Sequence, residues 1–192
     1  ISDCLVGSEM CIRDSLPGYA WENYLRDKSE KNFKGSTHQY YKGFKQENQP
    51  FINSESGNVW GYKGSTGDID WSYDYHRMIN SFRKFPEIAG WLYTEHHDVI
   101  NEWNGYWKFD RSEKITGVDK ILGGMTLNDF HSPVYISTGV EICRSVRGGE
   151  EINVPLFLSS MTSKNLGNEL IIDYELKHIN SLKKVLKPDS EA

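Results

Sequence analysis

The sequence predicts an α/β fold that gives way, near residue 131, to antiparallel β-structure. Three observations predict it. Two short apolar runs, Phe51–Ser54 and Trp91–Thr94, flank one strongly amphipathic stretch of helical period. Both runs end in acids and amides. After His131-Ser132-Pro133 the hydrophobic period shortens to two.

Taken in order, Trp21–Leu25 opens a short polar helix that decays into the Lys-rich loop Lys28–Gly35. Phe51–Ser54 reads as a short buried strand stopped by Gly57. Trp71, Tyr75, Met78, Ile79, Phe82 and Phe85 recur at spacings of three and four, the signature of one apolar helix face. Asp68 or Asp70 can cap the start of that helix and Pro86 ends it. A glycine turn leads into the second strand, Trp91–Thr94. The strand–helix–strand order implies two parallel strands joined by a right-handed crossover. Asn53 and Glu55 follow the first strand; Glu95 and Asp98 follow the second. Residues at strand C-termini face the active site in β/α barrels, so the order suggests a barrel rim. An open doubly wound sheet has the same order, although no Gly-rich phosphate fingerprint follows either strand. Residues 110–130, with Gly117, Gly123 and Gly124, read as a linker. Beyond it Val140 and Ile142, then Ile152, Val154, Leu156 and Leu158, then Leu170, Ile172, Tyr174 and Leu176 alternate with their neighbours. Turns at Arg147–Glu151 and Lys164–Asn168 separate these runs, as in the start of an incomplete antiparallel sandwich.

The first fifteen residues, ISDCLVGSEMCIRDS, follow neither period. They lack the basic start and long apolar run of a signal peptide. Leu5 to Asp14 back-translates as CTC GTG GGC TCG GAG ATG TGT ATA AGA GAC, and Ser15 fits a codon beginning AG. That string resembles the transposase adaptor used to prepare DNA sequencing libraries. Residues 1–15 are therefore read as a translated scar that lies outside fold and function. Cys143 is then the one remaining cysteine, which leaves no intrachain disulfide and is expected to be a small buried hydrophobe. With 22 basic and 27 acidic residues the chain has a net charge of −5, which argues against a nucleic-acid partner. No apolar run approaches the roughly 20 residues that span a bilayer. The aromatic content is high, six Trp, eleven Tyr and eight Phe, and all six Trp fall between Trp21 and Trp107. Core is the default for most of them, with a cleft lining as the alternative.

These residues resemble a family. GWLYTEHHDVINEWNGYWKFDRSEK, Gly90–Lys114, is similar to the segment that closes the barrel in family 2 glycoside hydrolases, the β-galactosidase, β-glucuronidase and β-mannosidase group. PFINSESG resembles that family's seventh-strand segment, whose Glu is the nucleophile. GGEEINVPLFLS resembles the start of the sandwich domain that follows the barrel. The resemblance spans roughly Leu16–Leu176. It implies an α/β fold: the C-terminal part of a (β/α)8 (TIM) barrel over 16–109, a linker over 110–130, and the start of an Ig-like β-sandwich over 131–192. It implies a retaining glycosidase that acts on a β-linked carbohydrate without a cofactor, with Glu55 as nucleophile. The family's acid/base lies in an Asn-Glu pair well upstream, and nothing between Leu16 and Glu55 fits it, so the chain alone is expected to be inactive.

Other residues join the candidate site. Glu95, just after the second strand, is expected to hydrogen-bond a sugar hydroxyl. Trp60 sits in the Gly-flanked loop NVWGYKGSTG after the first strand; it either packs on a sugar face or folds back on the barrel. Many members have Trp where this chain has Thr94, so that stacking contact is not expected. Trp103 and Trp107 read as structural. Glu95-His96-His97-Asp98 invites a metal reading, but adjacent side chains on an extended segment point to opposite sides, so no metal is expected. A carbohydrate-binding or interaction module built on the sandwich half is the alternative function. PFINSESG discriminates, because such a module needs no lone Glu at a strand end.

Overall fold

A computed structural model describes residues 18–57, 71–100, 103–118, 125–167, 169, 171–175, 178–179 and 185–186. The adaptor-like residues 1–15 and Trp60 lie outside the described residues, as do Asp68 and Asp70. The chain divides into two units, Ile1–Thr162 and Ser163–Ala192.

The first unit is built around a strand–helix–strand crossover. Helix α1 spans Trp21–Lys31, strand β1 Phe51–Ser56, helix α2 Ser72–Lys84 and strand β2 Ile88–Tyr93. β1 and β2 are parallel neighbours, which is the pairing that the two apolar runs and the intervening helix predict. The helical face read from the sequence is the core. Tyr75, Met78, Ile79 and Phe82 are fully buried, Trp71 nearly so, and Phe85 packs against them. Trp21 and Leu25 of α1 close the same cluster, with the Trp21 and Phe82 rings 5.0 Å apart.

Trp71 occupies the N-cap position of α2 without a side-chain cap bond. Its backbone N–H instead donates to the Thr116 carbonyl at 3.0 Å. That bond is one reason why residues 110–130 are more than a connector. Lys114, Thr116, Val118 and Phe130 are all buried, and helix α3, Leu127–Phe130, starts with a reciprocal capping box between Thr126 and Asp129.

Strand β3, Val134–Ser137, pairs antiparallel with β4, Phe157–Ser160, in the register Tyr135↔Ser159, Ile136↔Leu158 and Ser137↔Phe157. This hairpin belongs to the same unit as the crossover. The reason is polar. The Tyr135 hydroxyl donates to Asn80 Oδ1 at 2.7 Å, and Asn80 Nδ2 donates to the Gly139 carbonyl at 2.7 Å. Arg83 Nη2 donates to the carbonyls of Phe130 and of Ser132, the latter at 2.9 Å. Gly139 makes this approach with φ +78°, a backbone region that favours glycine.

Of the expected alternating runs only Phe157–Ser160 forms a strand in the first unit; residues 151–156 have no regular structure there. Cys143 lies in a similar irregular stretch. It is exposed rather than buried, its sulfur 3.5 Å from the Tyr73 hydroxyl. In the second unit β5, His178–Ile179, pairs antiparallel with β6, Val185–Leu186. The described residues thus form three two-stranded sheets, and among them neither a closed barrel nor a two-sheet sandwich is assembled. No helix among the described residues is long and apolar enough to cross a membrane.

Candidate functional site

The β1–β2 ladder is irregular where the sequence places its acid. Asn53 pairs with Trp91 and Ser56 with Tyr93, so β1 carries one residue more than β2 over this interval. The bulge therefore falls on Ser54–Glu55. Bulges bend a strand, re-aim its side chains and are over-represented beside active sites. Glu55 is half-buried. It lines a groove of about 80 Å³ along β1, together with Asn53, Lys28, Asn32 and Gln39. Asn53 Oδ1 is buried with no hydrogen-bond partner among the described residues. Beyond the bulge the two strand ends are tied together. Thr94 N–H donates to the Ser56 carbonyl at 2.7 Å, and the Ser56 hydroxyl donates to the Leu92 carbonyl at 2.8 Å. Glu55 and Glu95 are thus the immediate neighbours of two residues joined by one ladder bond. Glu95 is half-buried, and the Thr94–Glu95 peptide is cis.

The segment after β2 is held by a buried charge pair. Lys114 Nζ lies 2.6 Å from Asp98 Oδ1, and both side chains are fully buried. Asp98 Oδ1 also accepts from Gly105 N–H at 2.9 Å, and Lys114 donates to the Trp103 carbonyl at 2.7 Å. Asp98, one of the acids that follow the second strand, is therefore committed to structure. Gly105 lies against the backbone of His97 and Asp98 so closely that any Cβ would overlap it. Breaking such a pair by removing one partner costs about 3–5 kcal/mol, because the other charge is left buried alone. Lys114 was not legible as a partner, since it lies sixteen positions beyond Asp98 and no periodicity links them.

Aromatic packing supports the base of the segment. The Trp71 and Tyr93 rings stack at 5.2 Å with planes 11° apart, and the Tyr93 hydroxyl donates to the Asn104 carbonyl at 2.8 Å. The Tyr75 hydroxyl lies 2.9 Å from that of Tyr106 and 3.1 Å from His131 Nε2. Burial pushes Tyr75 up to about 12, so this cluster stays neutral and supplies hydrogen bonds rather than charge. Trp107 is 42 % exposed. With His96, Glu113 and Ile115 it lines a cleft of about 380 Å³, so it is more solvent-facing than the structural role read from the sequence. The His96 and His97 rings are edge-on, 6.1 Å apart. Among the described residues no group of three His, Cys, Asp or Glu is placed to hold a metal ion.

No family model matches the chain, no curated protein matches it, and no solved structure matches it.

Proposed function

We propose that this chain supplies the nucleophile and the closing strands of a retaining glycoside hydrolase acting on a β-linked sugar. The observation that carries the reading is the β1 bulge at Ser54–Glu55, at the C-terminal end of a strand parallel to its neighbour. In this reading the Glu55 carboxylate attacks the anomeric carbon and forms a glycosyl ester, while the leaving oxygen takes a proton from a second carboxyl group. Water, deprotonated by that second group, then hydrolyses the ester. Asn53 Oδ1 and Glu95 accept from sugar hydroxyls, and Trp60 packs on the ring. The fold belongs to the same proposal: β1, β2 and α2 are closing elements of a (β/α)8 barrel, and the 131–192 region begins a sandwich. Ile52 and Leu92 support it. They are 63 % and 60 % exposed on the sheet face opposite Trp91, whereas parallel sheets are normally covered on both faces.

Retention needs two carboxyl groups about 5–5.5 Å apart. None of Glu22, Glu30 and Glu47 is a candidate for the second. Glu22 is tied to Arg26 and Lys84, Glu30 sits on α1, and Glu47 pairs with Lys45 in a loop. The 192-residue chain is therefore expected to leave an aryl β-glycoside intact. In the longer protein that the reading requires, Glu55→Gln stops turnover, because an amide forms no glycosyl ester. A 2-deoxy-2-fluoro glycoside labels the peptide that contains Glu55, and mass spectrometry reads the adduct. Wild-type turnover by the Glu55→Gln enzyme would falsify the assignment.

A further inference from the structure

The loop that joins α1 to β1 buries polar side chains and exposes its rings. Three tight turns follow one another, with backbone bonds from Ser36 N–H to the Phe33 carbonyl, from Tyr40 to Thr37 and from Phe44 to Tyr41. Gly35 N–H donates to the Gln46 carbonyl at 2.7 Å and Gln46 N–H to the Ser36 carbonyl at 2.8 Å, which closes the loop at its base. Asn32, Ser36 and Gln46 are buried. Their side chains hold that base. Asn32 Nδ2 donates to the Lys28 carbonyl at 2.9 Å and the Ser36 hydroxyl to the Lys31 carbonyl at 2.6 Å. Gln46 Oε1 accepts from the N–H groups of Asn48 and Gln49 at 3.1 and 2.9 Å. Phe33, Tyr41 and Phe44 are 66 %, 81 % and 53 % exposed. A loop that only connected two elements would be stabilised by folding these rings inward, since aromatic side chains carry large apolar area.

Charge follows the same loop. Residues 31–46 hold four lysines and no acid, in a chain of net charge −5. All four lysines are exposed. Lys31 and Lys45 reach Asp27 and Glu47 at the two ends of the loop. Lys34 and Lys42, next in sequence to Phe33 and Tyr41, form no ion pair among the described residues. Phe33, Tyr41 and Phe44 line none of the clefts described above, so a single-stranded chain has no groove there to follow. A protein partner covering the rings would bury Lys34 and Lys42 with them, and lysine is depleted at protein interfaces. At a bilayer surface the rings enter the headgroup region while the lysines stay at its charged groups. We propose that the Phe33–Phe44 loop rests on the surface of an anionic lipid bilayer, with Phe33, Tyr41 and Phe44 inserted and Lys34 and Lys42 on the lipid headgroups. Such a contact lies on a membrane and needs no spanning helix.

The loop enters β1 at the end away from Glu55, so this proposal and the glycosidase reading fail separately. The test is co-sedimentation of the full chain with two kinds of vesicle. One is phosphatidylcholine alone; the other is phosphatidylcholine with phosphatidylserine at about three to one, whose negative surface potential attracts basic segments. Partition onto the phosphatidylserine vesicles, falling as salt is raised, is expected. Lys34→Gln combined with Lys42→Gln is expected to weaken it at least about tenfold, since each lysine near the surface contributes about fivefold. Phe33→Ser combined with Phe44→Ser is expected to weaken it by a similar factor, although it leaves the charge unchanged. Circular dichroism checks that each variant is folded. Where one is not, Tyr41→Ser takes its place. Three results overturn the proposal: no partition onto either vesicle, equal partition onto both, or partition unchanged by the ring substitutions. Displacement of the vesicles by a single-stranded oligonucleotide that binds more tightly also overturns it, and assigns the loop to nucleic acid.

Discussion

Helix α2 and the β3–β4 hairpin both carry clear apolar periodicity, and the structure treats them in opposite ways. On α2 the apolar face is buried, and Tyr75, Met78, Ile79 and Phe82 lose all contact with solvent, with Asn80, Ser81 and Arg83 buried beside them. On the hairpin the buried positions are Tyr135, Ser137 and Ser159, while Ile136 and Leu158, paired across the strands, are 41 % and 48 % exposed. Ile152, Val154 and Leu156 continue the exposed row. Period identifies which residues share a face. It does not say which face the rest of the molecule covers. On the apolar side of α2 that choice follows from apolar area. On the hairpin it follows from the Tyr135–Asn80 bond and the Arg83 contacts, which turn the polar face toward α2.

The contrast can be broken most directly at Phe82. Phe82→Ala removes a fully buried ring between Trp21 and Trp91 and is expected to cost about 3–5 kcal/mol, read by urea unfolding. A loss below about 1 kcal/mol would place α2 outside the core. Next comes Tyr135→Phe, which keeps the ring and deletes the hydroxyl. Asn80 Oδ1 then lacks its donor, and the expected cost is about 1–3 kcal/mol. An unchanged stability would mean that the hairpin is held by packing alone.

Acid acts on α2 from the other side. Burial lowers His76 from 6.5 to about 4, and burial together with Arg83 lowers His131. For a histidine depressed in the folded state, the unfolded chain takes up the proton first. The stabilisation is complete above pH 6.5 and is lost as pH falls toward 4. The urea midpoint is therefore expected to drop between pH 7 and pH 4.5, and His76→Gln to flatten that drop. An equally steep drop in the variant would remove His76 as its source. The smallest effect is expected at Leu158→Ser, within about 0.5 kcal/mol, since it alters an exposed position. A loss comparable to that of Phe82→Ala would show that the outer face of the hairpin is covered in solution.

Legibility in the sequence followed the kind of force involved. The α2 face and the parallel pairing of the runs Phe51–Ser54 and Trp91–Thr94 were readable because burial of apolar area leaves a periodic trace, although the strands themselves span Phe51–Ser56 and Ile88–Tyr93. Glu55 could be placed at the end of an apolar run, while its role as nucleophile came only from the resemblance. The bulge that distinguishes its setting was not, since it appears only once β1 has a partner. The Asp98–Lys114 pair and Arg83 were missed for another reason. A charged residue in sequence reads as solvated by default, and burial of these three depends on partners far along the chain. Residues 110–130 were read as a linker from their glycines, yet Val118 and Phe130 join the core through tertiary packing that no local pattern encodes.

The bonds that Asn80 and Arg83 send out from α2 have a consequence for how the first unit comes apart. Helix α2 touches α1, β2 and β4, and its polar side chains reach Phe130, Ser132 and Gly139. Local opening of β3–β4 therefore cannot proceed without exposing a buried guanidinium and a buried amide on α2. In hydrogen exchange the amides of the hairpin and the crossover should be released together, as one cooperative unit. A cut between Phe130 and His131 should then yield two fragments, neither protected on its own, that recover slow exchange only when mixed.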